Sequence, residues 1–261
     1  MIGDRVTVSE SVEVCTVESV EDRTTELVRR GRGGRAPKVL AANLDRVFAV
    51  LALGAPPASL EIIDRLLVLV EASGMRPILL LNKLDLEGAP EAARAFSDLY
   101  EDIGYRTLPV SATSKEGLEL FRAELRRGSS ALIGPSGVGK SSLLNALEPG
   151  LQLRTRGLSR KTGTGRHTTV GSRLITLARG GLVADTPGFG DVALWGIAPD
   201  GVESCFPELG DHVERCRFRS CTHVHEPDCG VRSAVEDGQI LQSRYGSYLR
   251  LRNEAVEAAA R

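Results

Sequence analysis

Gly134-Pro135-Ser136-Gly137-Val138-Gly139-Lys140-Ser141-Ser142 is the stretch that decides the fold of this chain. It fits the G-x-x-x-x-G-K-[ST] pattern in full. Ser130-Ala131-Leu132-Ile133 reads as a short buried strand running into the glycines, and Ser141 to Leu147 has helical spacing. A strand, a glycine loop and a helix N-terminus together gather several backbone N–H groups around one anion. Gly134, Gly137 and Gly139 let the backbone approach a phosphate with no Cβ in the way. Lys140 would reach the β- and γ-phosphates, and the Ser141 hydroxyl would ligate Mg²⁺. The residues from Gly134 to Ser142 therefore read as a nucleotide phosphate site.

Upstream, Leu81-Asn82-Lys83-Leu84-Asp85 closes an apolar strand, Pro77 to Leu81. Its Asn-x-x-Asp geometry suits guanine, which presents N1–H and an exocyclic amine side by side to a carboxylate. Adenine offers a bare acceptor at N1, so Asp85 would reject it. Asn82 and Lys83 would brace the loop and cover the base. Val110-Ser111-Ala112 ends the next strand and supplies a second base-contacting loop through Ser111 and Ala112. Downstream, Asp185-Thr186-Pro187-Gly188 has a strand ending in Asp, on the Mg²⁺ side, and a Gly188 N–H suited to a γ-phosphate. Gly165-Arg166-His167-Thr168-Thr169 precedes it; Thr169 or Thr168 would close over Mg²⁺, and spacing alone does not choose.

The elements between these motifs alternate. Strands are expected at Val47 to Leu53, Pro77 to Leu81, Arg106 to Val110, Arg173 to Ala178 and Leu182 to Ala184. Helices are expected at Ser59 to Ser73, Glu91 to Ile103 and Glu116 to Leu125. Repeated βα units imply a mostly parallel sheet with helices on both faces, an α/β fold. Residues 1–38 are β-type, with two to three strands at Arg5 to Val8, Val12 to Val17 and Glu26 to Val28, closed by a Gly/Arg loop at Arg30 to Arg35. Residues 196–261 form a third unit, helical from about Val231 to Glu257. In ordinary GTPases the phosphate loop comes first; here the base-reading loop precedes it, and the sheet of residues 39–195 can be the same one with its chain ends relocated. The Asp185 to Gly188 loop then leads directly into the third unit and would pull on it.

That unit carries Cys216-x4-Cys221-x-His223-x5-Cys229. Three thiolates and an imidazole form a Cys₃His set for one structural, tetrahedral Zn²⁺ per chain, with His225 the rival imidazole. Cys15 and Cys205 read as buried small residues. Five cysteines used this way indicate a reducing, cytoplasmic setting. The 261 residues are 42% hydrophobic with mean hydropathy −0.08, no apolar run has the length of a membrane span, and Met1 to Val14 does not resemble a secretion signal. A net charge of −1 conceals two acid-free basic blocks. Pro149 to Ala184 holds seven basic residues and Leu27 to Leu44 holds five, which marks a surface for a polyanion. Arg215, Arg217 and Arg219 add positive charge around the zinc ligands.

With these motifs assembled, the chain resembles the ribosome small-subunit-dependent GTPase A (RsgA) family over nearly its whole length. Ala41-Ala42-Asn43-Leu44-Asp45 and Ile62-Ile63-Asp64-Arg65 are shared as well. The resemblance implies an N-terminal OB-fold, a circularly permuted P-loop GTPase domain and a small zinc-binding domain. It also implies GTP hydrolysis to GDP stimulated by the small ribosomal subunit and its rRNA during late maturation of that subunit. Gly3-Asp4-Arg5-Val6 resembles a segment from inside the OB barrel, so its first strands are expected to be missing and the unit to be partial. Val170 stands where a third threonine is common. Phe189 follows Gly188 in place of a water-orienting glutamine, and the resemblance assigns that role to His167. A monomer is expected. Two alternatives stand beside this reading: a GTP-dependent RNA-binding switch with negligible hydrolysis, and an ATP-using P-loop enzyme, which Asp85 opposes.

Overall fold

The computed structural model describes residues 1–10, 15–30, 37–54, 59–153, 173–185 and 196–260. Two antiparallel hairpins open the chain. Strand β1 (Val6–Glu10) pairs with β2 (Cys15–Val20), and β3 (Glu26–Arg30) pairs with β4 (Pro37–Ala42). The N-terminal unit thus has four strands, not two to three, and pairing resumes after the Gly/Arg stretch that was expected to close it. Pro37-Lys38-Val39-Leu40-Ala41-Ala42 has weak strand propensity, and pairing with β3 supplies what its composition does not. Strand β2 lies three residues later than its Val/Thr pattern suggested, because register with β1 (Glu10 opposite Cys15, Val6 opposite Val20) sets its bounds. Cys15 is exposed, contrary to expectation, whereas Cys205 is buried.

The motif Ala41 to Asp45 is the joint between hairpins and sheet. The Asn43 side chain accepts from Thr24 N–H at 2.8 Å and donates to Gly3 O at 2.9 Å. Asp45 accepts from Ser129 N–H at 2.7 Å and from its hydroxyl at 2.8 Å, and these bonds hold its carboxyl below the usual range.

From β5 (Arg46–Ala52) the chain builds one sheet. Helix α1 (Leu60–Glu71) leads to β6 (Pro77–Asn82), α2 (Ala89–Glu101) to β7 (Arg106–Pro109), and α3 (Leu118–Leu125) to β8 (Ser129–Ile133). After α4 (Lys140–Leu147) come β9 (Arg173–Thr176) and β10 (Leu182–Asp185). The spatial order is β7-β6-β5-β8-β10-β9, parallel throughout except for β9 at the edge. Strand β5 is buried on both faces. Ala49 and Leu51 share a core with Leu67 and Tyr100 of α1 and α2, whereas Phe48 and Val50 meet Phe121 and Leu144 of α3 and α4. That is why these strands read as continuous apolar runs and not as alternating ones.

The C-terminal region holds α5 (Gly210–Val213), α6 (Gly230–Glu236) and α7 (Gln242–Ala259) around Phe206, Leu209, Val231, Tyr248 and Leu251. The helix expected from Val231 to Glu257 is broken at Gly238, whose φ of +71° ends α6 before buried Ile240 turns the chain inward. Val68 of α1 belongs to this same core, so the region packs on the sheet's helical layer. No helix among the described residues is long and apolar enough to cross a membrane.

Candidate functional site

Strands β6, β8 and β10 end at one edge of the sheet, where Asn82, Gly134 and Asp185 emerge. Parallel strands make this the carboxyl edge, the usual ligand crevice of open α/β sheets. The phosphate loop fills the gap between β8 and α4. A Cβ on Gly134 would lie 2.4 Å from Val50 O, and one on Gly139 would lie 2.3 Å from Asn82 Nδ2. Both glycines also have left-handed φ, +143° and +98°, so substitution at either would strain the loop and close the cradle. Lys140 Nζ donates to Gly134 O at 2.6 Å and Pro135 O at 3.0 Å, which folds the ammonium over the loop. Ser141 and Ser142 occupy the first turn of α4, half-buried beside it.

The two base-loop segments meet each other and the phosphate loop. Buried Asn82 donates its amide to Val138 O at 2.8 Å, tying the end of β6 to the middle of the glycine loop. Ser111 Oγ donates to Asp85 Oδ1 at 2.5 Å and accepts from Thr113 and Ser114 N–H at 3.1 and 2.9 Å. Ser111 is fully buried while Asp85 is exposed, so a fixed hydroxyl aims a carboxylate that faces open space. Ala112 is half-buried next to Ser111, and Lys83 turns the loop at a φ of +70°. His167, Thr168, Thr169, Gly188 and Phe189 lie outside the described residues; Asp185 ends β10, and its side chain is outside them too.

A second constellation sits in the C-terminal region. The ligand atoms of Cys216, Cys221, His223 and Cys229 all lie within 4.8 Å of one another. Cys216 Sγ and Cys229 Sγ are 3.8 Å apart, and His223 Nδ1 is 3.5 and 3.3 Å from these two sulfurs. Tetrahedral Zn²⁺ with ordinary bond lengths would require roughly 3.8 Å between sulfurs and roughly 3.5 Å from sulfur to nitrogen. The set therefore suits one zinc, with Nδ1 as the imidazole donor and His225 exposed outside it. Burial pushes the Cys221 thiol up to about 12 and raises that of Cys229. A divalent cation would reverse this by replacing the protons.

The sequence did not point to what holds this cluster. Glu203 Oε2 lies 2.8 Å from His223 Nε2, so the carboxylate accepts a hydrogen bond from Nε2–H and leaves Nδ1 free to face the metal. Tyr245 donates its hydroxyl to His223 O at 2.5 Å and Tyr248 donates to Thr222 O at 2.9 Å. A carboxylate 20 residues upstream and two tyrosines on α7 belong to no local spacing rule.

Asp64 is the other unforeseen participant. Arg244 of α7, 1% exposed, donates to Asp64 Oδ1 at 2.6 Å and to Glu208 at 2.6 and 3.2 Å. Tyr100 also donates to Asp64, at 2.9 Å, and the guanidinium lies 4.6 Å from the Phe206 ring centroid. Burial opposes the Arg244 charge, but the Glu208 bonds and the Asp64 charge outweigh it and raise its pKa. Beside this cluster, Arg65 donates to Glu254 at 2.5 Å. The motif Ile62 to Arg65 thus joins α1 to α7.

The comparisons agree with this geometry. A family model described as RsgA GTPase matches residues 20–195. The chain is 46% identical over 259 residues to the small ribosomal subunit biogenesis GTPase RsgA of Gemmatimonas aurantiaca, covering 98% of this chain and 84% of that relative. The chain belongs to the RsgA GTPase family. This GTPase is also 42% identical to the protein of the same name from Moorella thermoacetica, over 97% of its own length and 84% of the relative's. Among solved structures it resembles YjeQ from Thermotoga maritima, with a TM-score of 0.81 and 35% identity over 97% of this chain and 84% of that one. It also resembles YloQ, a circularly permuted GTPase, with a TM-score of 0.77 and 31% identity over 98% and 80%. The order of loops along β6, β8 and β10 is therefore that of a circularly permuted, GTP-hydrolysing enzyme.

Proposed function

We propose that this chain binds GTP at the carboxyl edge of its sheet and hydrolyses it on the small ribosomal subunit during that subunit's maturation. The observation that carries the reading is the Asn82–Val138 bond, which locks the base-reading loop to the phosphate loop in one crevice. Relatives over most of the chain are named small ribosomal subunit biogenesis GTPases, which supports the subunit as partner. Asp85, aimed by Ser111, reads guanine with Asn82, Lys83 and Ala112 around the base. The loop from Gly134 to Ser142 wraps the phosphates, and Lys140 releases its backbone carbonyls to reach them. Mg²⁺ accompanies GTP and is held by Ser141 with Asp185 and Thr169, or Thr168 in its place. Gly188 meets the γ-phosphate, and His167 orients the attacking water.

The N-terminal unit, which β4 extends past the expected boundary at residue 38 to Ala42, acts as a partial OB-like unit, the sheet up to residue 195 as a permuted GTPase domain and residues 196–261 as a zinc domain. The two acid-free basic blocks contact ribosomal RNA, and the protein works as a cytoplasmic monomer. The competing reading, a GTP-dependent switch with negligible turnover, draws on Phe189, which stands where a water-orienting glutamine would serve.

Sedimentation with purified small subunits tests the partner. The chain loaded with a non-hydrolysable GTP analogue should pellet with small subunits and not with large ones. Retention should fall steeply as salt rises. Equal retention on both subunits, or none on either at low salt, would remove the small subunit from the account.

A further inference from the structure

The four residues between the first two zinc-site thiols, Arg217-Phe218-Arg219-Ser220, are all exposed. Phe218 keeps 42% of its surface in solvent although a well-filled core lies close by. The loop that carries it is nevertheless held at both ends. Cys221 N–H donates to Phe218 O at 3.2 Å, and Arg217 N–H donates to Asp228 O at 3.1 Å. The Arg217 guanidinium stands over the ring, 5.5 Å from its centroid, and is itself 65% exposed. Asp228 pairs with Arg217 at 3.1 Å and offsets part of its charge. Arg215 and Arg219 are exposed on either side, and no acid lies between them in sequence.

An aromatic ring in solvent, fixed on a loop between two cysteines of the metal-ligand set and framed by guanidinium groups, suits an unpaired nucleotide. The ring offers a face for stacking, and the arginines meet the neighbouring phosphates. A paired duplex would present phosphates to the arginines but no open base face to Phe218. An acidic peptide would likewise leave the ring unused. We propose that the Cys216–Cys221 loop is a stacking platform for an unpaired RNA base, with Phe218 as the stacking group and Arg215 and Arg219 as phosphate contacts. This deepens the reading of the small subunit as partner and rests on it for the source of the RNA.

The test uses the zinc-loaded full chain and a short fluorescein-labelled uridine oligomer, with a blunt RNA duplex as comparison. The oligomer should bind more tightly than the duplex. Phe218→Ala and Phe218→Leu should each weaken oligomer binding roughly tenfold or more, whereas Phe218→Tyr should retain it. Arg219→Ala should lower the salt slope by about one while the Phe218 variants leave it unchanged. Zinc content equal to wild type shows that each variant keeps its knuckle. Wild-type affinity in Phe218→Ala, or in Phe218→Leu, would overturn stacking. A Phe218→Ala chain that keeps oligomer binding but no longer pellets with small subunits would assign the loop to a ribosomal protein and overturn the RNA platform. If wild type ignores small subunits while the Phe218 series behaves as expected, the platform stands and the subunit reading fails.

Discussion

The Asp85 carboxylate owes its aim to a hydroxyl that cannot move. Ser111 is fixed by two backbone N–H groups from Thr113 and Ser114, and its own proton goes to Asp85 Oδ1. Asp85→Asn keeps an oxygen for Ser111 and for guanine N1–H but turns an amide donor toward the exocyclic amine. Two donors then face each other, at about 1–3 kcal/mol for an unpaired buried group. Xanthine has a carbonyl at that position. The variant should lose roughly tenfold or more in GTP affinity and gain affinity for XTP, as read by competition binding. Unchanged GTP affinity would mean that Asp85 does not read the base. At the zinc cluster, Glu203 plays the comparable part for His223. Glu203→Ala should weaken zinc binding roughly 10–100-fold in chelator competition, and Glu203→Gln, which still accepts from Nε2–H, should lose less. Equal zinc affinity in all three chains would make the Glu203 contact incidental. The sequence disclosed Asp85 and His223 because short fixed spacings mark them. Ser111 in its orienting role and Glu203 were not legible, because folding alone brings them to their partners.

Among elements, the strands and helices of the sheet were readable because burial on both faces leaves near-continuous apolar runs, such as Val47 to Leu53. Legibility failed where pairing overrode composition. Strand β4 opens with Pro37 and ends in two alanines, β2 takes its bounds from β1, and α6 stops at Gly238 inside a run of helix-forming residues. Helix α7 is the instructive case, since it turns Arg244 inward with Tyr245, Tyr248 and Leu251. An arginine at a core-facing position reads as an error until Asp64 and Glu208 are found around it. Removing one member of such a buried ionic set strands the others, at about 3–5 kcal/mol. Arg244→Ala should therefore lower unfolding stability by about that amount and reduce hydrogen-exchange protection in α7, with nucleotide binding retained. A loss under about 1 kcal/mol in urea unfolding would show that the Asp64–Arg244–Glu208 set does not hold α7 to α1.

For the molecule as a whole, one arrangement links the two sites. The helical layer of the GTPase sheet shares Val68, Asp64 and Arg65 with the C-terminal region, while β10 ends at the nucleotide edge. Helix α1 thereby joins the nucleotide-bearing sheet to the C-terminal region, a connection on which the proposed partner-stimulated hydrolysis would draw. His167→Ala should keep GTP affinity near that of wild type and remove most of the stimulated rate, in single-turnover hydrolysis on small subunits. A wild-type stimulated rate in that variant would assign water positioning to another residue. In the proposed function, the small ribosomal subunit switches this GTPase on. Multiple-turnover phosphate release at low salt, with and without purified small subunits, tests it most directly. Release should be slow from the chain alone and rise greatly when small subunits are added, whereas equal release in the two conditions would show that the subunit does not switch the enzyme on.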